Sequence, residues 1–519
     1  MNACPECSSV SVHRKGHVLK DGKIQHRYRC TACGENFYDP NALPPKTPKL
    51  NPPKKEKLVK LTKPQHTGRT WVITCATNDV PVNWKFFETL ETYCDWNNAQ
   101  LIIVPVKYQQ GLNEDGGYSW PEVLKPYFVN SNISLCSGLR LLAGTRVAPA
   151  IGNPLTGFEC FSKGDSLILP HAQLQMRTVA MSHVDPSAVL TTTGSITEPR
   201  YTATKQGEKA SFNHSYSAIV AEEDKEHDCF HLRVLNSDET GAFYDVDRFY
   251  DGLTVKANTD IPAVILGDEH IIHSSEKVTA ATFTNTDSIV NVLRPELIVR
   301  HDSLDFYSSN HHHSKNTFTQ YAKFISGKNN SADELALTVE YVLKTTPDFA
   351  TSVIVSSNHN EHFTRWIQEC NPKLEPWNAI LYHEMMAAIL KKTTMGATGA
   401  LYPNPFELWA RSNYNMPNVR FVSPQESFKV KGIELAFHGD RGTNGSRGSA
   451  PQFSKLGTKC VVGHSHSPQI FGGAYQVGHS CEARLEYNLG ASSWAEAHCI
   501  IQPNGKRQML FIIRGRWRR

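Results

Sequence analysis

KCVVGHSHSP, residues 459–468, decides how the rest of this chain is read. A short apolar run ends in Gly463, and two histidines, His464 and His466, follow one residue apart. Such a run reads as a strand leaving a core. Glycine at its end lets the backbone turn sharply or approach another group closely. In an extended chain, residues i and i+2 share a face, so the two imidazoles point the same way. The pair is either a polar loop or part of a metal site, and partners elsewhere in the chain decide which.

Four more apolar runs end in residues of the same chemistry. AVILGDEH (263–270) places Asp268 and His270 after Gly267, and LIVRHDSLDFY (297–307) places Asp302, with Asp305 close behind. SVIVSSNHNEH (352–362) ends in Asn358 and His359, and IELAFHGDRG (433–442) ends in His438 and Gly439. Strands of an α/β fold end along a common edge, so residues far apart in sequence converge there. Two divalent cations about 3.5–4 Å apart need a bridging carboxylate, with imidazole and oxygen ligands on either side. Ser331 to Glu334 has the form of a capping box, which predicts a helix over 332–346, just before the third run.

The order D-x-H, D, N-H, H, H-x-H resembles the calcineurin-like metallophosphoesterase superfamily over residues 261–500. The resemblance implies an α/β fold, a β-sandwich flanked by helices. It implies one metal on Asp268, His270 and His466, a second on Asn358, His438 and His464, and Asp302 bridging them. Asp302 directly ends its apolar run, with Asp305 as the alternative bridge. His359 would bind no metal but would stabilise developing charge or protonate the leaving oxygen, while a water activated between the cations attacks phosphorus. The cations expected are manganese first, then magnesium, iron or zinc. The chain departs from the family pattern at three places. His301 and Ser357 stand where glycine usually precedes the bridging Asp and the Asn, and Asn360 replaces the acidic residue after the catalytic histidine, with Glu361 one step on.

Near the N-terminus, Cys4, Cys7, Cys30 and Cys33 form two CxxC pairs separated by 22 residues. Four thiolates complete a closed tetrahedral zinc shell. Such a site supplies on the order of 10 kcal/mol or more to folding, which a unit this small lacks in its own core. Val12 to Gly16, Gln25 to Arg29 and Gly34 to Phe37 around these pairs resemble the zinc ribbon that opens some insertion-sequence transposases. That resemblance implies a structural zinc and nucleic-acid binding.

The 519 residues exceed one compact core, and hydrophobic content of 40% with charged content of 20% is ordinary for a globular protein. The expected organisation is a zinc ribbon (1–39), a linker rich in proline and lysine (40–68), a mixed α/β region of open role (69–260) and the metallophosphoesterase domain (261–519). Within 69–260, TWVITCA, a helix over 82–97 and LIIVPV read as strand, helix, strand, with Asn78 and Asp79 at the first strand's end. AHCIIQPNGKRQMLFII (497–513) reads as a hairpin turning at Pro503-Asn504-Gly505, and His479 and His498 read as structural.

No apolar run approaches the roughly 18 residues of a membrane helix, and the N-terminus has no basic-then-apolar leader. Thirteen cysteines, nine without framework spacing, suit a reducing compartment. A cytoplasmic protein without membrane contact is expected, in a host cytoplasm if phage-encoded.

Charge is unevenly placed. Residues 1–70 hold 14 Lys+Arg against 5 Asp+Glu, whereas the remainder holds 40 against 45. The last nine residues, FIIRGRWRR, add four arginines. A basic arm on a slightly acidic body implies a polyanionic partner. The glycine loop 439–449 offers Arg441 and Arg447 to phosphates, and His311, in the run Asn310 to His313, is a candidate for the entry groove. Large ribbon-bearing phosphoesterases of this kind are similar to tailed-phage proteins linked to host DNA breakdown. The expectation is therefore a metal-dependent DNA nuclease, with a homo-oligomer as an open option. The alternatives are a protein or nucleotide phosphatase, and a DNA-binding regulator with an inactive body.

Overall fold

The computed structural model describes residues 4, 6, 7, 9, 11–20, 23–34 and 36–39 near the N-terminus, and 68–108, 119–182, 187–396, 399–486 and 488–519 beyond. The chain divides into two compact units, Met1–Leu61 and Thr62–Arg519. All of the expected linker except Gly68 lies outside the described residues.

The first unit is a three-stranded antiparallel sheet of Val12–Lys20, Lys23–Cys30 and Asn36–Asp39. Tyr28 stacks on Phe37 across the second pair at 5.8 Å, the kind of aromatic pair that fixes strand register. Gly34, at φ 81°, turns the chain after Cys33, and its N–H bonds the Cys30 carbonyl.

In the second unit, Thr70–Thr77 is buried at all eight positions, as expected for a strand covered on both faces. It pairs in parallel with Gln100–Val106 and antiparallel with Ser217–Asp224, which in turn pairs with Cys229–Asn236. The crossover is the helix Trp84–Asn97. Asn83 caps it by accepting from the Phe86 N–H, and Asn98 ends it in the left-handed region.

A six-stranded sheet runs Val419–Val422, Thr351–Val355, Leu297–Arg300, Ala263–Ile265, Ala497–Ile501, Arg507–Phe511. Its first four strands are parallel, so their C-terminal ends lie along one edge. The last two are the hairpin expected from the sequence. A ten-stranded sheet begins Lys429–Val430, Ile433–Glu434, Lys459–Val462, Ala474–Gln476, Gln469–Phe471. It continues with Gln175–Val179, Ala188–Thr192, Ser166–Leu169, Leu139–Leu141 and Ile133–Cys136.

That continuation crosses residue 260. Ile470 pairs with Met176, so strands from before and after that point share one sheet, and Thr62–Arg519 is one compact unit. A single apolar cluster joins these three larger sheets, through Ile73 and Val104, Val299 and Val353, and Ile168 and Val461. Each such side chain stabilises the fold by about 1.5–3 kcal/mol when fully buried.

Two local expectations also change. The helix Ser331–Lys344 is capped by Asn330, whose side chain accepts from Ala332 and Asp333 N–H groups, and not by Ser331. Glu334 is drawn away because it accepts from the N–H groups of Tyr307 and Ser308, both at 2.8 Å. Three of the four C-terminal arginines bond within the body, two of them to carboxylates. Arg514 donates to the His227 and Asp228 carbonyls, Arg518 reaches Asp224 at 2.6 Å and Glu222 at 3.6 Å, and Arg519 pairs with Asp247. No helix among the described residues is long and apolar enough to cross a membrane.

Candidate metal centre

Beyond the parallel strands the chain stays paired long enough to carry its polar residues into register. Glu269 N–H bonds the His301 carbonyl, His270 N–H the Asp302 carbonyl, and Ile271 N–H the Ser303 carbonyl. Asp268 and His270 therefore lie beside Asp302. Glu269, between them, accepts from Arg300 at 2.6 Å and Ser303 at 2.7 Å in the buried layer behind. His270, Asp302, His464 and His466 all have positive φ, at 39°, 46°, 76° and 58°. Non-glycine residues rarely adopt that region, and such strain gathers at functional sites.

Gly463 answers the question posed by its own position. A Cβ there would stand 2.2 Å from Asp268 Oδ1 and 3.1 Å from His301 Cβ, so no larger residue fits without displacement. The His464 N–H then donates to Asp268 Oδ2 at 2.7 Å. The glycine serves close approach of one ligand loop to another.

Side-chain geometry is compact. His466 Nε2 lies 3.0 Å from Asp268 Oδ2 and 3.0 Å from His270 Nε2, and His270 Nε2 lies 3.7 Å from Asp302 Oδ2. Ligand atoms of Asp268, His270, Asp302 and His466 all lie within 4.8 Å of one another. On the other side of Asp302, His438 Nε2 stands 3.1 Å from Oδ2, and the His438 and His464 rings are 5.3 Å apart. Asn358 opens the helix Asn358–Glu369. Asp268 Oδ1, Asp302 Oδ1 and Asn358 Oδ1 are buried without a hydrogen-bond partner. Each such oxygen costs about 1–3 kcal/mol when left unsatisfied. An all-acceptor set of carboxylate, amide oxygen and imidazole fits divalent cations.

Asp305 does not stand among these four grouped ligand atoms. Its Oδ2 lies 2.7 Å from His270 Nδ1, which turns Nε2 toward Asp268 and Asp302. His359 Nδ1 stands 3.6 Å from the same oxygen and 3.3 Å from the Asp305 carbonyl. Burial opposes ionisation of both carboxyls. Even so, His438 and His359 hold Asp302 well below the usual carboxylate range, and His359 and His270 do so for Asp305. Burial likewise opposes protonation of His359 and His438. The Asp302 and Asp305 carboxylates nonetheless raise His359 to about 10, and Asp302 and Asp268 raise His438 to about 9.

The departures from the family pattern acquire roles. Ser357 caps its helix by accepting from the Asn360 N–H. Asn360 donates to the Val355 carbonyl, and Glu361 pairs with Arg441, so the carboxylate beside His359 is Asp305. The sequence signal for Asp305 is its spacing of three from Asp302. His301 is buried, with Nδ1 3.3 Å from His438 Nδ1. Arg441 and Arg447 are bridged through their backbones in the loop after His438, and His311 faces Arg365 at 2.8 Å. Trp494 closes on His466 at 4.0 Å between ring centroids. His479 and His498 are buried, the latter between the Gly267 N–H and Thr282 Oγ1.

In the first unit, Cys4 Sγ lies 3.6 Å from Cys33 Sγ, Cys7 Sγ lies 3.6 Å from Cys30 Sγ, and all four sulfurs are mutually within 4.8 Å. Four thiolates at about 2.3 Å from a zinc ion stand roughly 3.8 Å apart, so this cluster can hold one. The Cys33 N–H draws the Cys30 thiol down to about 6, toward the thiolate a metal needs.

No family model matches the chain, and no solved structure matches it. The chain is similar to Protein A1 of Escherichia phage T5, 29% identical over 464 residues, which is 87% of this chain and 83% of that protein. A likeness spanning most of both chains relates this protein to a phage protein.

Proposed function

We propose that the second unit is a two-metal phosphoesterase of the calcineurin-like type, built as a β-sandwich flanked by helices, and that it hydrolyses phosphodiester bonds in DNA. The observation that carries this reading is the gathering of Asp268, His270, Asp302 and His466, with His438 and His464 on the other side of Asp302, from four separated segments, with the Oδ1 atoms of Asp268 and Asp302 left buried and unpartnered.

Asp268, His270 and His466 would hold one cation, Asn358, His438 and His464 the other, and Asp302 both. Two cations held there polarise phosphoryl oxygens and lower the pKa of an attacking water. Manganese is the first choice for the pair. Asp305 orients His270 and keeps His359 charged, and His359 gives its proton to the leaving oxygen. Arg441 and Arg447, on the loop that follows His438, would meet neighbouring phosphates.

DNA is favoured over a small phosphate ester by charge. Residues 1–70 carry 14 Lys+Arg against 5 Asp+Glu, and a small substrate gives such an arm no purpose. The four-cysteine cluster would hold a structural zinc and dock the nucleic acid. Likeness to a phage protein suits a phage enzyme acting on DNA in the host.

Plasmid cleavage by the purified protein in Mn2+, beside Asp302→Ala, tests the proposal. Cleavage reduced more than about a hundredfold in the variant supports it. A wild-type protein that binds Mn2+ but leaves DNA uncut overturns the substrate. One that binds no divalent cation overturns the enzyme.

A further inference from the structure

A second histidine cluster stands next to His359 and takes no part in the reading above. We propose that His311, His312 and His362 form a separate metal site for a borderline transition-metal cation such as Zn2+ or Ni2+.

The placement is built by two elements. His362 lies on the helix Asn358–Glu369, one turn beyond Asn358, with its ring 4.8 Å from that of His359. His311 and His312 lie on the short turn His311–His313, which Asn310 caps by accepting from the His312 N–H at 3.0 Å. Asn310 Nδ2 also lies 3.4 Å from His362 Nδ1, tying the turn to the helix. Ring centroids of His311 are 3.9 Å from His312 and 5.0 Å from His362. One ring nitrogen from each of the three lies within 4.8 Å of the others.

The chemistry of the cluster asks for a cation. The Arg365 guanidinium donates to His311 Nε2 at 2.8 Å, so an imidazole lone pair already points at a positive group. Arg365 also reaches Glu369 at 3.3 Å and keeps that partner if a metal takes its place on the ring. Burial disfavours protonation of His311 and His362, so these rings offer lone pairs rather than charge. Three imidazoles with no carboxylate among them select zinc, nickel or copper over magnesium or calcium. Three histidine ligands also leave a fourth position open.

Calorimetric titration of Zn2+ into the full chain tests this, with His312→Ala, His362→Gln and Arg365→Gln alongside and the set repeated in Asp302→Ala. His312 is solvent-exposed, so its removal leaves the fold in place. Loss of one binding event in both histidine variants, persisting in the Asp302→Ala background, is the expected result. Removing the competing guanidinium should tighten that same event several-fold. Unchanged Zn2+ stoichiometry in His312→Ala and His362→Gln overturns the site. So does a cluster that binds inorganic phosphate instead and loses it in Arg365→Gln. Because the Asp302→Ala background removes the bridging ligand proposed above, failure of the two-metal reading and failure of this site give different titrations.

Discussion

Asp305 Oδ2 lies 2.7 Å from His270 Nδ1 and 3.6 Å from His359 Nδ1, so one buried carboxylate holds both a proposed metal ligand and the proposed acid. Asp305→Asn keeps the shape but removes the charge. Partners that orient a ligating histidine typically carry about 10–100-fold in metal affinity. Mn2+ titration of the variant should show a loss of that size. The pH profile should move as well. Asp302 and Asp305 raise His359, so the protonated acid is present at low pH and lost as pH rises through its pKa. Removing one carboxylate lowers that pKa, and the alkaline limb of kcat/KM should shift to lower pH. An unchanged limb removes His359 as the acid.

Gly463 is a point of close approach between the loops that carry Asp268 and His464. Alanine there would place a methyl carbon 2.2 Å from Asp268 Oδ1, which must move. Because Asp268 Oδ2 accepts the His464 N–H at 2.7 Å, both ligand loops are disturbed together. Gly463→Ala should weaken divalent-metal binding at least about tenfold. Its thermal midpoint without metal should fall by only a few degrees, since core overpacking costs about 1–3 kcal/mol. Full metal affinity in this variant would show that the loops have more freedom than their spacing allows.

The five candidate segments stand out in the sequence because each ends a short apolar run and carries residues with little purpose in an ordinary turn. The parallel order of Ala263–Ile265, Leu297–Arg300 and Thr351–Val355 is what turns that linear list into one place. Short β-like runs separated by polar loops are legible over about 110–255, but how they pair is not, for a physical reason. Ala188–Thr192 is buried at all five positions, so it has no polar alternation to mark it, even though its partners Gln175–Val179 and Ser166–Leu169 lie close along the chain. The roles of Asp305 and His301 depend on which ring nitrogen faces which neighbour, and spacing does not encode that. Ser331 and Glu334 matched a capping box by pattern, yet Asn330 one residue earlier and the Tyr307 loop claimed the two functions.

Part of the charge counted at the C-terminus is committed within the fold. Arg518 sits between Asp224 and Glu222, whose side chains are 1% and 3% exposed. Removing one partner of a buried ion pair costs about 3–5 kcal/mol when the other is left alone. Here His227 still reaches Asp224 at 3.0 Å and Arg233 still reaches Glu222 at 3.3 Å, so the cost should be smaller. Arg518→Ala should therefore destabilise the second unit by about 2 kcal/mol, read from urea unfolding. DNA affinity should be unaffected, because this arginine is committed within the fold. Weakened DNA binding with unchanged stability would reverse that assignment.

On the function proposed above, the four-cysteine unit would separate DNA binding from phosphate-ester chemistry. Cys30 is one of the two buried thiols there, and its exchange for serine removes a ligand from a closed set. A structural zinc site supplies on the order of 10 kcal/mol, so Cys30→Ser should release one zinc per chain and unfold Met1–Leu61. The proposed metal pair belongs to the other compact unit, so hydrolysis of a small phosphodiester such as bis-p-nitrophenyl phosphate should persist. DNA affinity should fall, and the dependence of log affinity on log salt should become shallower, since fewer phosphates are neutralised. Equal loss of small-diester and DNA turnover would assign the first unit to the stability of the whole chain rather than to the nucleic acid.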